Sequence, residues 1–384
     1  MKAGTLDRVE REIRRLFDTD QFIPLHEPRF WGNEKQYVNE AIDSTFVSSV
    51  GKFVDQFERE VEAYTGAARA VAVVNGTAAL HMALLLAGVK PGDEVITQPL
   101  TFVATANAIR YCQAEPVFLD VDRDTLGLSP DRLEEFLERH AELRDDGMAY
   151  NRRTGRRLAA CVPMHTFGLP ARVERLVDIA GRFGIPVVED AAESLGSLRQ
   201  GRHTGTFGRL GVLSFNGNKT ITTGGGGMVI TNDAELGKLA KHLTTTAKLS
   251  HPWEYVHDHV GYNYRLPNLN AALGVAQMEQ LPRMVGSKRA LAEAYRAFFA
   301  SIGVEFLAEL PGDSANYWLN AIVLDDFEQR EHFLKALNAR GVMCRPIWRL
   351  MNRLPMFAHC QTDSLENALW LEQRVVNIPS SARP

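Results

Sequence analysis

Cysteine is scarce in this chain of 384 residues: Cys112, Cys161, Cys344 and Cys360 stand far apart, with no Cys-x-x-Cys pair and no histidine array. That scatter argues against a disulfide framework and against a zinc or other metal site, and it suits a reducing cytoplasm. Charge of neither sign is in surplus, since 43 basic residues face 47 acidic ones for a net of −4. Such a balance offers no field for nucleic acid or for an anionic membrane surface, and the basic run at 152–157 is local. No segment reaches the roughly 18 apolar residues that a membrane-spanning helix needs. The first twenty residues lack the apolar core and cleavage site of an export signal. Their Leu6, Val9, Ile13, Leu16 and Phe17 fall on one helical face, which reads as a packing helix or arm over 1–22.

What is present is an ordinary globular composition, 45% hydrophobic and 23% charged, long enough for one large domain and a smaller one. From about residue 70, short β-rich runs (70–74, 94–97, 116–119, 158–164, 186–188) alternate with helical patterns (77–87, 102–111, 173–183). Strict alternation predicts an α/β fold, a mostly parallel sheet covered by helices on both faces. Residues 151–157, with Thr154-Gly155 at their centre, read as an inserted hairpin or loop. Past Leu281-Pro282 the pattern changes to a long helix (286–301), a strand (318–324), a helix (327–339) and a last strand pair. The division expected is an arm (1–22), a large domain (23–280) and a smaller α+β domain (281–384).

Ligands of such sheets bind beyond the carboxyl ends of the strands, where Asn75, Pro99, His165, Asp190 and Ser214 fall. Lys219 lies between two short apolar runs and just ahead of four consecutive glycines, 224–227. An amine attacks an aldehyde only when unprotonated, so a lysine sheltered on a glycine-rich turn is a candidate covalent anchor for pyridoxal phosphate. That cofactor also needs an acid for its ring nitrogen, a phosphate cradle and a stacking ring. Asn75-Gly76-Thr77-Ala78-Ala79 opens a helix, where free N–H groups favour a phosphate, or is a plain turn capped by Thr77. Asp190 is either the acid for the ring nitrogen or a helix cap. Glu193 faces the cofactor's edge or makes a cap of its own. Phe102 stacks on the ring or fills core. Ser214 donates to phosphate or to a local carbonyl, and His165 polarises a substrate group or is a satisfied buried histidine.

Taken together, Asn-Gly-Thr-Ala-Ala-Leu (75–80), Leu-Thr-Phe-Val-Ala-Thr-Ala-Asn (100–107), Val-Glu-Asp-Ala-Ala-Glu (188–193), Ser-Phe-Asn-Gly-Asn-Lys (214–219) and Gly-Tyr-Asn-Tyr-Arg-Leu (261–266) are highly specific. Over nearly its whole length the chain resembles the DegT/DnrJ/EryC1/StrS sugar aminotransferases, a branch of the fold-type I pyridoxal phosphate enzymes. The resemblance implies that Lys219 bonds to the cofactor and shuttles protons, that Asp190 partners the ring nitrogen, that Phe102 stacks, and that Thr77 and Ser214 bind phosphate. It further implies that Asn263 reaches the phosphate of a neighbouring subunit, hence a homodimer with shared active sites. The stretches 23–32 and 47–54 and the insertion near Arg152 look like the LegC-type branch, similar to enzymes of bacillosamine- or legionaminic-acid-like routes.

The activity so implied moves an amino group from glutamate, through pyridoxamine phosphate, to C4 of a UDP-linked 4-keto-6-deoxy-N-acetylhexosamine. A GDP-linked 4-keto-6-deoxymannose, giving perosamine, is the alternative substrate. Arg29, Lys248 and Arg345 are candidates to meet the nucleotide's diphosphate, each with a surface ion pair as the other reading. Many relatives carry His or Gln where Glu193 stands, and an ionised glutamate beside the cofactor's phenolate would be repelled, so Glu193 is expected to be protonated or turned away. Gly225 replaces a frequent glutamate and Asn352 a frequent histidine. A sugar dehydratase of the same fold has histidine in place of the lysine, which Lys219 counts against. A non-catalytic sugar-nucleotide sensor would have no need of Lys219 with Asp190.

Overall fold

The computed structural model describes residues 4–383; the first three residues of the expected arm and the last residue of the expected small domain lie outside them. Arg69–Val73 pairs antiparallel with Gly227–Thr231, which pairs antiparallel with Leu210–Ser214, which in turn runs parallel to Val188–Asp190. Leu158–Val162, Glu94–Thr97 and Glu115–Phe118 are parallel neighbours. Parallel bridges from Cys161 to Val187 and from Met164 to Asp190 join the two groups. The product is a seven-stranded sheet in which only Gly227–Thr231 runs against the rest, the α/β architecture expected from the alternation.

Both faces of this sheet are covered, because side chains alternate along a strand and each set finds its own helices. Val71 and Val73 pack with Leu80, Ile109 and Leu236 on one face. Ala70 and Ala72 pack with Phe57, Val61 and Val275 on the other. The four cysteines are unpaired. No helix among the described residues is long and apolar enough to cross a membrane.

The second sheet is antiparallel throughout: Glu305–Phe306, Asn320–Val323, Val375–Ile378 and Arg345–Pro346. Its helix Phe327–Ala339 has the bounds expected from sequence, started by the Asp326 side chain accepting from the Gln329 N–H at 2.8 Å. The N-terminal helix Thr5–Phe17 buries Val9 and Ile13 against Leu291, Tyr295 and Phe333.

Two elements differ from expectation. The long helix begins at Asn268, not at 286, and runs unbroken to Ser301 with Pro282 inside it. A proline there costs about 3 kcal/mol, offset because Leu281 and Met284 are buried in one cluster and Leu291, Tyr295 and Phe299 in another. Ahead of the expected insertion, Ala141–Leu143 pairs with Ala149–Asn151 as a ribbon that the sequence reading missed. The Thr154-Gly155 turn follows, closed by a bridge from Tyr150 to Arg157, with Gly155 at φ +71°.

Candidate active site

At the carboxyl edge of the large sheet, strand ends and helix starts surround a cavity of about 640 Å³. Its wall brings together Gly76, Thr77, Phe102, Asp190, Glu193, Ser214, Lys219 and Arg345, gathered from four strand-to-helix or strand-to-loop junctions and the small sheet.

One end is built for an anion. The helix Gly76–Leu86 starts here, and the N–H groups of its first turn have no helical carbonyl to bond. A Cβ on Gly76 would stand 3.0 Å from Ser214 Cβ and 3.2 Å from its Oγ, so glycine keeps the space between helix start and strand end open. Behind it, a Cβ on Gly227 would come within 2.4 Å of the Asn75 carbonyl carbon. Ala78 is corrected: its N–H donates to Asn75 Oδ1 at 2.8 Å, serving the helix cap instead of the cavity.

Asp190 lies at the deep end. The Thr105 hydroxyl donates to its Oδ2 at 2.6 Å, and the Ala192 N–H donates to its Oδ1 at 3.2 Å. Burial pushes its carboxyl up, opposed first by the Thr105 bond. A cationic N–H placed against Asp190 would relieve that cost. Glu193 is not turned away: its Oε1 accepts from Lys219 Nζ at 3.2 Å and its Oε2 from the Phe167 N–H at 2.9 Å. Burial pushes this carboxyl up to about 7, against the pull of Lys219. Phe102 is half exposed and its ring lies 6.3 Å from that of Trp348, leaving a face toward the cavity. Deep acid, lysine, aromatic face and anion-binding helix start fit a flat phosphorylated pyridine.

Other expected residues are elsewhere. His165 is fully buried, its Nδ1 accepting from the Ala171 N–H and its Nε2 2.9 Å from Glu189, so it is a satisfied structural histidine. Arg29 pairs with Glu27 and donates to the Ala382 carbonyl, tying the early segment to the C-terminal one. Lys248 lies over the Tyr255 ring at 4.1 Å on an exposed segment. Asn263 is exposed, accepts from Arg265 and does not line its own chain's cavity. Arg345 does line it, while its Nη1 donates to the Cys344 carbonyl. Sequence reasoning missed Thr105, Asn316 and Trp318; only the Thr-rich stretch 101–105 carried a local signal, since the other two lie in the irregular stretch just ahead of the strand Asn320–Val323, which starts two residues later than the sequence pattern suggests.

The signature of the DegT/DnrJ/EryC1/StrS aminotransferase family matches residues 30–383. The chain belongs to this family. This DegT-family aminotransferase is 38% identical to EpsN of Bacillus subtilis (strain 168), whose name assigns it to the pyridoxal phosphate-dependent aminotransferases, over 94% of this chain and 91% of that one. It is 36% identical to the GDP-perosamine synthase of Escherichia coli O157:H7, over 94% and 93% of the two chains. Its structure superposes on the aminotransferase TlmJ of Streptoalloteichus hindustanus with a TM-score of 0.84 and 28% identity, covering 94% and 93%. The fold is that of the fold-type I aminotransferases, and the enzyme is a pyridoxal phosphate-dependent nucleotide-sugar aminotransferase.

Proposed function

We propose that this enzyme transfers an amino group from glutamate to C4 of a nucleotide-linked 4-keto-6-deoxyhexose. The observation that carries the reading is the convergence of Lys219, Asp190 and the Gly76–Thr77 helix start on one cavity. Bound pyridoxal phosphate supplies an aldehyde carbon to carry the amine and a ring that withdraws electrons. Asp190 holds a proton on the ring nitrogen. Gly76, Thr77 and Ser214 receive the phosphate, and the Phe102 face orients the ring. Lys219 Nζ moves protons to and from the substrate carbon, while Trp318 and Leu319 close the wall against water.

Two sugars meet this description. The LegC-like opening segment speaks for a UDP-linked N-acetyl sugar of a bacillosamine- or legionaminic-acid-like route. The relatives named GDP-perosamine synthase speak for GDP-4-keto-6-deoxymannose.

The same reading makes the enzyme a homodimer with shared sites. Support comes from Trp253, Tyr255 and Val260, which are 78%, 81% and 84% exposed on the segment leading to Asn263, a cost that a second copy would remove. It also divides the chain into arm 1–22, cofactor domain 23–280 and small domain 281–384, with the helix Asn268–Ser301 spanning the junction.

The test is an absorbance titration of the protein with pyridoxal phosphate, then glutamate, then each keto sugar, with Lys219→Ala as control. A visible band that glutamate removes and one sugar restores supports the reading and names the nucleotide. No Lys219-dependent band sinks it.

A further inference from the structure

Trp318 has no task in the chemistry above beyond closing a wall, yet it is held from every side. Its indole N–H donates to the Asn218 carbonyl at 2.6 Å, and Lys219 Nζ lies 3.8 Å from the centre of its ring. Glu193 Oε1 approaches the same amine at 3.2 Å. The Trp318 backbone is pinned at both ends: its N–H donates to Asn316 Oδ1 at 2.9 Å, and its carbonyl accepts from Lys288 Nζ at 3.1 Å. The buried Asn316 amide donates to the carbonyls of Glu193 and Leu195 and to the Thr220 hydroxyl. One short stretch leading into the small sheet's strand Asn320–Val323 thus ties down the Glu193 loop, the Lys219 turn and the ring between them. Nothing about closing a wall requires an aromatic face at cation–π distance, and an apolar residue would fill the space.

We propose that Trp318 and Glu193 form a resting place for the Lys219 amine whenever it is not bonded to the cofactor, with Trp318 as the positioning residue. The ring face and the Glu193 side chain hold the amine within reach of the cavity, so that it returns to the same spot after each half-reaction. This rests on the aminotransferase reading, in which Lys219 must detach and return.

The test uses the apoprotein, without donor or sugar. Lysines are labelled competitively with acetic anhydride at a fixed pH, and the rate at Lys219 is read by peptide mass spectrometry relative to the exposed Lys238. Methionine fills the site without a π face, whereas phenylalanine keeps one. W318M is expected to label at Lys219 roughly threefold faster or more than wild type, and W318F within about twofold of it, the size of a cation–π contact at a sheltered site. Equal rates in W318M and W318F overturn the proposal and leave Trp318 a steric wall. A second arm keeps Trp318 in place: E193Q is expected to speed labelling of Lys219, and an unchanged rate also overturns the proposal. Failure of the aminotransferase reading would show separately, as the absence of a Lys219-dependent absorbance band with pyridoxal phosphate.

Discussion

Lys219 Nζ stands 3.2 Å from Glu193 Oε1, and of the two side chains the carboxylate is the more deeply enclosed, 1% exposed against 13%. Burial holds the Glu193 carboxyl at about 7, above its ordinary value of 4.5. The folded chain therefore keeps a proton there that the unfolded chain has lost, and stability falls as pH rises from 4.5 through 7. E193Q removes that loss. Its apoprotein is expected to be more stable than wild type at pH 8 by on the order of 3 kcal/mol at most, with the gap closing at pH 5. Thermal melts at the two pH values check this; a gap that widens toward acid contradicts it.

Lys288 runs the other way. It is fully buried, donates to the carbonyls of Trp318 and Ser380, and burial lowers its amine to about 7 from 10.5. Its contribution is full above pH 10.5 and is lost as pH falls toward 7. K288M leaves two carbonyls without a donor, a cost of about 1–3 kcal/mol each. Denaturant melts should show K288M at its greatest disadvantage near pH 10, and the deficit shrinking toward pH 7.

Thr105 donates the shortest hydrogen bond to Asp190, at 2.6 Å. T105V keeps the shape and removes the donor, so the Asp190 carboxyl rises further and pairs less well with a cationic ring nitrogen. Pyridoxal phosphate is expected to bind roughly tenfold more weakly, the size of one hydrogen bond to a charged group. A fluorescence or absorbance titration measures it, and unchanged affinity would remove Asp190 from that role.

Gly227 faces the Asn75–Gly76 peptide so closely that a Cβ would meet Asn75 at 2.4 Å and the Gly76 nitrogen at 2.6 Å. The three nearest atoms are all backbone, so no side chain can swing aside to relieve them. G227A is expected to cost about 1–3 kcal/mol of stability and to displace the helix start that receives the phosphate. Cofactor affinity should therefore fall in G227A more than in Gly217→Ala, whose nearest atom would be 3.8 Å away.

The strands were legible because hydrophobic runs bounded by turn residues are a local signal; the ends of those strands named Asp190 and Ser214, and the glycine-rich turn after Ser214 named Lys219, without reference to anything distant. Pro282 misled for the same reason: locally it is a stop, and only burial on both sides of it carries the helix Asn268–Ser301 through. His165 stood at a strand end like Asp190, but the Glu189 carboxylate beside it and the Ala171 N–H draw its ring into the interior. Arg29 and Lys248 were named for charge alone, and charge does not say which partner an arginine or lysine finds.

From its own periodicity and motifs the sequence determined an α/β sheet with its chemistry along one edge, and which lysine and which acid stand there. Tertiary structure decided what surrounds them: that Trp318, from the stretch leading into the other sheet, lies over Lys219, that Asn316 ties the Glu193 loop to the Lys219 turn, and that Glu193 faces the amine. Periodicity is a property of neighbours along the chain, whereas these contacts depend on how two separately built sheets pack, and no spacing within either one records it.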